Sequence, residues 1–326
     1  MELRTDLWLM LLAFGLAFVC GLLLIPLLQR LKAGQSILKY VDMHAAKSGT
    51  PTIGGLIFII PITFMAIIFV GWDTPLSLII VVGSFAYAVV GFLDDFLKIK
   101  HHQNLGLRAY QKIIGQIGIA LLIAFFYTRC NPSGEIWVPF LNIFWQLGSV
   151  GIFLLTLLIL VATTNAVNLT DGLDGLAGMT SLIYLCFFYA LLLLTDLGDE
   201  VQTIGRIVAI AIGSLMAYLL FNTKRASVFM GDTGSLFLGA LIAMTSLFSG
   251  LGLVIVVLGG VFVWSALSTI IQVGFFKITK GKRVFRMAPF HHHLEKGGMQ
   301  ESKIVYIYTV VTILLGVILL LSVMYV

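Results

Sequence analysis

TGSLFLGALIAMTSLFSGLGLVIVVLGGVFVWSALSTIIQVGFF, residues 233–276, runs for 44 positions without an Asp, Glu, Lys or Arg. A helix needs only about 20 apolar residues to cross the roughly 30 Å hydrocarbon core of a bilayer. The run is therefore two spans, and Ser249-Gly250-Leu251-Gly252 is where it turns back. Outward from there the pattern repeats, with charge-free stretches at 7–29, 48–72, 74–93, 113–128, 136–170, 175–195, 207–223 and 304–326. Ten spans are expected, at about 7–28, 53–70, 76–93, 111–128, 144–163, 175–194, 203–221, 234–248, 253–276 and 304–325. The fold class is an all-α polytopic integral membrane protein, a single membrane domain over 1–326. Its cytoplasmic loops are expected at about 29–52, 94–112, 164–175, 222–235 and 277–303.

Composition agrees. Hydrophobic residues make up 60% of the chain and charged residues 11%, where a water-soluble domain carries roughly 25% charge. Such a chain excludes a soluble enzyme, a disordered segment and a collagen-like rod, because no aqueous fold hides that much apolar surface. Cys20, Cys130 and Cys186 show no CxxC spacing, so neither a disulfide framework nor a zinc site is indicated. The first span is too long for a signal-peptide core and is followed by Arg30 and Lys32 rather than a cleavage site.

Loop charges set the orientation. Seventeen of the 20 Lys and Arg residues fall in alternate loops, and only Arg4, Arg129 and Arg206 fall on the other side. The positive-inside rule puts the first group in the cytoplasm and both termini outside. All six histidines lie on the cation-rich side, so chemistry is expected there.

Acids at a membrane boundary need a reason. Asp94 and Asp95 are read as closing the third span, in Gly91-Phe92-Leu93-Asp94-Asp95-Phe96-Leu97-Lys98. Asp171 and Asp174 open the sixth, in the stretch Asn165 to Gly178, and Asp232 lies in Phe229-Met230-Gly231-Asp232-Thr233-Gly234-Ser235. Helix capping and Gly-assisted turns explain some Asp residues without any function, and Thr170 or Asp171 can simply cap the sixth helix. Asp94 and Asp95 fit that explanation poorly. Two adjacent carboxylates at a helix C-terminus face the negative end of the dipole and repel each other, and Lys98 supplies a single positive charge. Carboxylate oxygens without thiolates suit a hard cation such as Mg2+. The Gly-rich strings around Asp171 and Asp232 lead into helix N-termini, which attract phosphate. The last cation-rich loop carries Pro289-Phe290-His291-His292-His293-Leu294-Glu295 after Lys280, Lys282, Arg283 and Arg286. It reads either as a solvated basic loop or as donors for a pyrophosphate.

Taken together, Asp94-Asp95-Phe96-Leu97-Lys98, Asn165 to Gly178, Asn222 with Phe229 to Ser235, and Pro289 to Glu295 resemble the phospho-N-acetylmuramoyl-pentapeptide-transferase family, over essentially the whole chain. That family belongs to the polyprenyl-phosphate N-acetylhexosamine-1-phosphate transferases. The resemblance implies UDP-N-acetylmuramoyl-pentapeptide and undecaprenyl phosphate as substrates, Mg2+ as cofactor, lipid I and UMP as products, and the bacterial inner membrane as location. It makes Asp232 the metal ligand and Asp94 and Asp95 the acidic pair beside the lipid phosphate, with Lys98 at their side. Asn168, Asp171, Gly172, Leu173, Asp174 and Asn222 become the nucleoside-binding set, with Phe229 as the uracil-stacking ring. Lys47 and Thr52 match polar pocket positions, and His291 and His292 match catalytic or pyrophosphate-contacting histidines. It allows a homodimer and implies no nucleic-acid partner.

Two rivals differ in class or substrate. A carboxylate-lined ion transporter would place acids near the bilayer midplane, whereas these collect at span ends. A sister enzyme using UDP-N-acetylglucosamine would share the nucleoside and pyrophosphate motifs. Direct attack by the lipid phosphate is favoured over a covalent carboxylate intermediate, because a phosphate dianion is already a competent nucleophile.

Overall fold

The computed structural model describes residues 3–31, 49–70, 75–101, 106–195 and 198–324. The chain runs α1 (Leu3–Arg30), α2 (Leu56–Met65) continued by a π-helical turn (Ala66–Val70), α3 (Pro75–Lys100) and α4 (Ala109–Cys130). A hairpin of β1 (Glu135–Val138) and β2 (Ile143–Gln146) follows, then α5 (Gly148–Thr170), α6 (Leu176–Leu194), α7 (Asp199–Asn222) and α8 (Gly231–Phe248). The chain ends with α9 (Val254–Leu258), α10 (Gly260–Ile278), α11 (Phe290–Glu295) and α12 (Glu301–Met324). Among the described residues nine helices are long and apolar enough to cross a membrane, namely α1, α3 to α8, α10 and α12. The chain is an all-α polytopic membrane protein.

The bundle is arranged around α8, whose residues from Thr233 to Phe248 are all buried. It lies between α3 and α5, while α1 packs on α7 and α12 on α6. Small residues permit this. A Cβ on Gly91 of α3 would fall on the carbonyl of Asp232, so α3 touches the first turn of α8 backbone to backbone. On the perimeter the apolar side chains point outward: Val150 is 74% exposed and Leu158 65%. That surface is covered by lipid rather than water.

Four expectations are corrected. Among the described residues the second span is a helix over Leu56–Val70, beginning three residues later than expected. Its first residues instead form a turn, in which Gly54 N–H donates to Phe229 O (2.8 Å) and Gly55 N–H to Met230 O (3.0 Å). The fifth span begins at Gly148, not 144, because the β-prone string Ile143-Phe144-Trp145 pairs antiparallel with β1, Trp137 opposite Phe144. The ninth span is broken at Gly259 into α9 and α10. Finally, α3 continues to Lys100, so Asp94 and Asp95 are inside the helix rather than at its C-terminus. Lys98 and Lys100 occupy the last turn and complement the dipole there. The turn back between α8 and α9 does fall at Ser249–Gly252, with Gly250 at φ 75°.

Candidate active site

The first turn of α8 has no cap of its own: Met230 makes no side-chain hydrogen bond to it. Asp95 provides the cap from α3. Its Oδ1 accepts from Asp232 N–H (3.2 Å), and its Oδ2 accepts from Thr233 N–H (2.9 Å) and the Thr233 hydroxyl (2.7 Å). An acid at a helix N-terminus is favourable because it pairs orphan N–H groups and complements the dipole. Gly231, at φ 72°, makes the entry turn, and a Cβ there would collide with both Asp95 and the buried Thr52 hydroxyl.

This cap delivers Asp232 to a crossing of four helices. Its Oδ2 meets Lys98 Nζ at 3.1 Å and Lys112 Nζ at 2.8 Å. Its Oδ1 accepts from Asn168 Nδ2 at 2.7 Å, and the same amide donates to Ser235 Oγ at 2.8 Å. Lys112, in the first turns of α4, also donates to Asn168 Oδ1 at 3.3 Å. Asp94 accepts from Leu107 N–H at 2.8 Å and pairs with Lys98 at 2.5 Å. Below this layer Asn165 and Gln116 bond amide to amide, and Tyr87 donates to the Gln116 carbonyl.

Carboxylate oxygens of Asp94, Asp95 and Asp232 all lie within 4.8 Å of one another. Three carboxylates against two ammonium groups leave the cluster one negative charge in excess, and the donors are oxygen only, which fits a hard divalent cation. Asp95 is held by two backbone N–H groups at the start of α8, donors that cannot swing aside, whereas Asp94 and Asp232 face ammonium groups on flexible side chains that can. Asp94 and Asp232, which share Lys98, are the residues able to hold a metal.

The loop between α5 and α6 forms a second wall. Asp171 follows the last turn of α5 as its C-cap, and the N-cap of α6 is Gly175 at φ 76°. The expectation that Thr170 or Asp171 caps the sixth helix is therefore not met. Loss of water, with Asp232, Asp95 and Asp174 adding negative charge, pushes the Asp171 carboxyl up to about 8. Leu173 and Asp174 are buried, and Asp174 Oδ2 accepts from Ala226 N–H at 3.2 Å. Asn222 joins the walls: its Oδ1 accepts from Gly175 N–H (3.1 Å) and its Nδ2 donates to Val228 O (2.9 Å). Phe229 is half-buried and its backbone pairs with Pro51 and Gly54. A polar cleft of about 720 Å³ opens beside Asp174, with Lys224, Arg225 and Glu301 in its lining.

α11 supplies the third wall. His291 is fully buried with neither ring nitrogen hydrogen-bonded. Burial, with His292 beside it, holds its pKa down to about 3, so the ring is neutral. His292 Nδ1 lies 2.9 Å from Glu295 Oε2. Both imidazoles reach Gly172.

The structure thus brings together Asp94, Asp95, Lys98, Asn168 and Asp232 directly. It sets Asp171, Gly172, Leu173, Asp174 and Asn222 alongside, and joins His291 and His292 to them through Gly172. Thr52 sits beside Asp95. Lys47 lies outside the described residues. Sequence reasoning missed Lys112, Thr233 and Ser235. One signal was available for Lys112: a lysine in the first turns of a helix opposes the dipole and needs an acidic partner.

Residues 77–250 match the family described as glycosyl transferase family 4. The chain is 43% identical over 312 residues to the phospho-N-acetylmuramoyl-pentapeptide-transferase of Clostridium botulinum (strain Alaska E43 / Type E3), covering 95% of this chain and 94% of that one. It is 39% identical over 310 residues to the enzyme of that name in Clostridioides difficile (strain 630), 94% of each chain. To that in Heliobacterium modesticaldum it is 40% identical over 317 residues, covering 96% of this chain and 97% of the relative.

Proposed function

The chain belongs to the phospho-N-acetylmuramoyl-pentapeptide-transferase family, and from that premise we propose how its residues carry out a phosphoglycosyl transfer in peptidoglycan synthesis. The donor is UDP-N-acetylmuramoyl-pentapeptide and the acceptor undecaprenyl phosphate. An oxygen of the lipid phosphate forms a bond to the β-phosphorus of the donor while the bond from that phosphorus to the bridging oxygen breaks. The products are lipid I and UMP, with no covalent enzyme intermediate.

The observation that carries this reading is Lys98 and Lys112 converging on Asp232, with Asp94 paired to the same Lys98. Two polyanions must approach each other, so charge neutralisation comes first; Lys98 and Lys112 balance two of the three carboxylates and fix their positions, and a divalent cation held there would supply the positive charge still needed. Asp94, with one oxygen held by Leu107 N–H, orients the lipid phosphate and takes any proton it carries. Asp95 acts one step removed, by holding the turn that aims Asp232. Asp171, Leu173 and Asp174 receive the nucleoside, Gly172 lets their loop pack against the histidines, Asn222 fixes that loop to the next, Phe229 offers its ring to the uracil, and Lys47 and Thr52 complete the pocket. His291, neutral, and His292 offer ring N–H groups to the pyrophosphate. Asp232, with Asp94, would hold Mg2+, which would supply electrostatic stabilisation of the departing UMP.

The cation-rich loops support a site that faces the cytoplasm from the inner membrane, with both termini outside, and on this reading a thiol introduced at position 293 should resist labelling from outside intact cells. The decisive experiment supplies purified protein with Mg2+, polyprenyl phosphate and each UDP-sugar in turn. UMP release is expected with the muramoyl-pentapeptide donor, and kcat/KM for UDP-N-acetylglucosamine at least about a thousandfold lower. Comparable turnover of both donors would make the chain a sister enzyme.

A further inference from the structure

Gly172 is the point where the loop after α5 meets α11. Its φ lies outside the left-handed region, so the backbone does not require glycine there. Space does. A Cβ on Gly172 would overlap His291 Nε2, and would meet His291 Cε1 and His292 Nε2 each at 3.1 Å.

The His291 ring has no room to retreat, and the His292 ring is held by an acid. His291 is 0% exposed, with the His292 ring 4.3 Å away and the Tyr308 ring edge-on at 6.4 Å. His292 is tied to Glu295. The helix carrying both is fixed from behind: Phe290 N–H donates to Ser268 Oγ (3.1 Å), and Phe290 packs against Trp264, Phe285 and His293. Gln272 holds Phe285 in turn, accepting its N–H at 2.9 Å and donating to its carbonyl at 3.0 Å. The wall that must yield to a larger side chain at 172 is therefore rigid over several layers.

We propose that Gly172 is a positioning residue: its missing side chain interlocks the loop after α5 with the histidine pair and sets the distance between the nucleoside side of the site and His291. This deepens the function proposed above and rests on its reading of His291 as a group that faces the donor. It differs from the usual reason for glycine in such a loop, which is close approach of a ligand to the backbone.

The two reasons separate in a double-mutant cycle on the full-length, detergent-purified chain, using Gly172→Ala, His291→Ala and the pair. Gly172→Ala should lower Tm by several degrees and kcat at least about tenfold, with KM for the UDP-sugar donor changed less than about threefold. On the His291→Ala background the same alanine should leave Tm unchanged or raised, since alanine at a permitted φ stabilises a loop. His291→Asn, also shorter than the ring, serves as a second background. An equal Tm loss in all backgrounds, or a raised donor KM with kcat intact, overturns the interlock and returns Gly172 to the ligand. Full activity of His291→Ala would instead overturn the reading of His291 while the Tm coupling still tests the interlock.

Discussion

Asp232 draws three side-chain donors, Lys98, Lys112 and Asn168, whereas the fully buried ring of His291, one wall away, draws none. The carboxylate side is complete before any substrate arrives, because adjacent carboxylates would repel one another if their cations were absent. The histidine side is closed but unsatisfied. An unsatisfied buried polar group costs roughly 1–3 kcal/mol, and His291 meets the low-dielectric interior as a neutral ring, the form that burial penalises least. One half of the site is a paired electrostatic cluster, and the other is a buried ring without a hydrogen bond beside a second ring tied to Glu295.

The sharpest way to break this contrast is on the carboxylate side. Asp232→Asn and Asp94→Asn should each lower turnover at least about a hundredfold in folded protein, and Asp232→Asn should also blunt the response to added Mg2+. Near-normal turnover of either variant at saturating Mg2+ would remove that residue from the centre. Asp95→Ala should lose turnover to a similar degree but for a different reason, and thermal melts show the difference. Removing the cap of α8 costs about 1 kcal/mol, so this variant alone of the three should melt measurably lower. Equal Tm values across the three would contradict the capping role.

Smaller effects sharpen the comparison. Lys112→Met removes one of two cations from Asp232, so turnover should fall at least about tenfold while calorimetric Mg2+ affinity rises. Unchanged affinity would mean that Lys112 and the metal do not meet the same carboxylate. The histidine side predicts a pH effect. His291 titrates near 3 in the folded chain and near 6.5 when unfolded, so the unfolded chain binds the extra proton between those values. Stability attached to the neutral ring is complete above pH 6.5 and drains away as pH falls toward 3. Tm measured at pH 7 and pH 5 should therefore fall further in the wild type than in His291→Gln, and identical slopes would show that the ring is not buried neutral.

Much of this was legible in the chain. The charge-free runs located the spans, although α3 and α5 each run seven residues past the expected end, and the acids and histidines of the site stood out because charge beside a membrane is costly. Where the reading slipped, local signals were ambiguous. Ile143-Phe144-Trp145 is as apolar as a span and became a strand only because Ile136 and Trp137 lie across from it. Asp94 and Asp95 looked like a helix end, yet the apolar count stops before the helix does, since Lys98 and Lys100 can extend α3 beyond the charge-free segment.

The sequence by itself determined that this is a multi-span membrane protein with its histidines and most of its cations gathered into alternate loops, and with Asp94, Asp95, Asp171, Asp174 and Asp232 near span ends on that same side. Hydropathy and loop charge act additively along the chain, so both can be summed without knowing the fold. Only the tertiary structure decided what each polar group does. That Asp95 caps a helix beginning 136 residues later, that Lys112 pairs with Asp232, and that Gly172 makes room for His291 depend on contacts between residues more than a hundred positions apart. Such contacts have no period and no local signature, because they exist only once glycines such as Gly91 let the helices close to backbone distance.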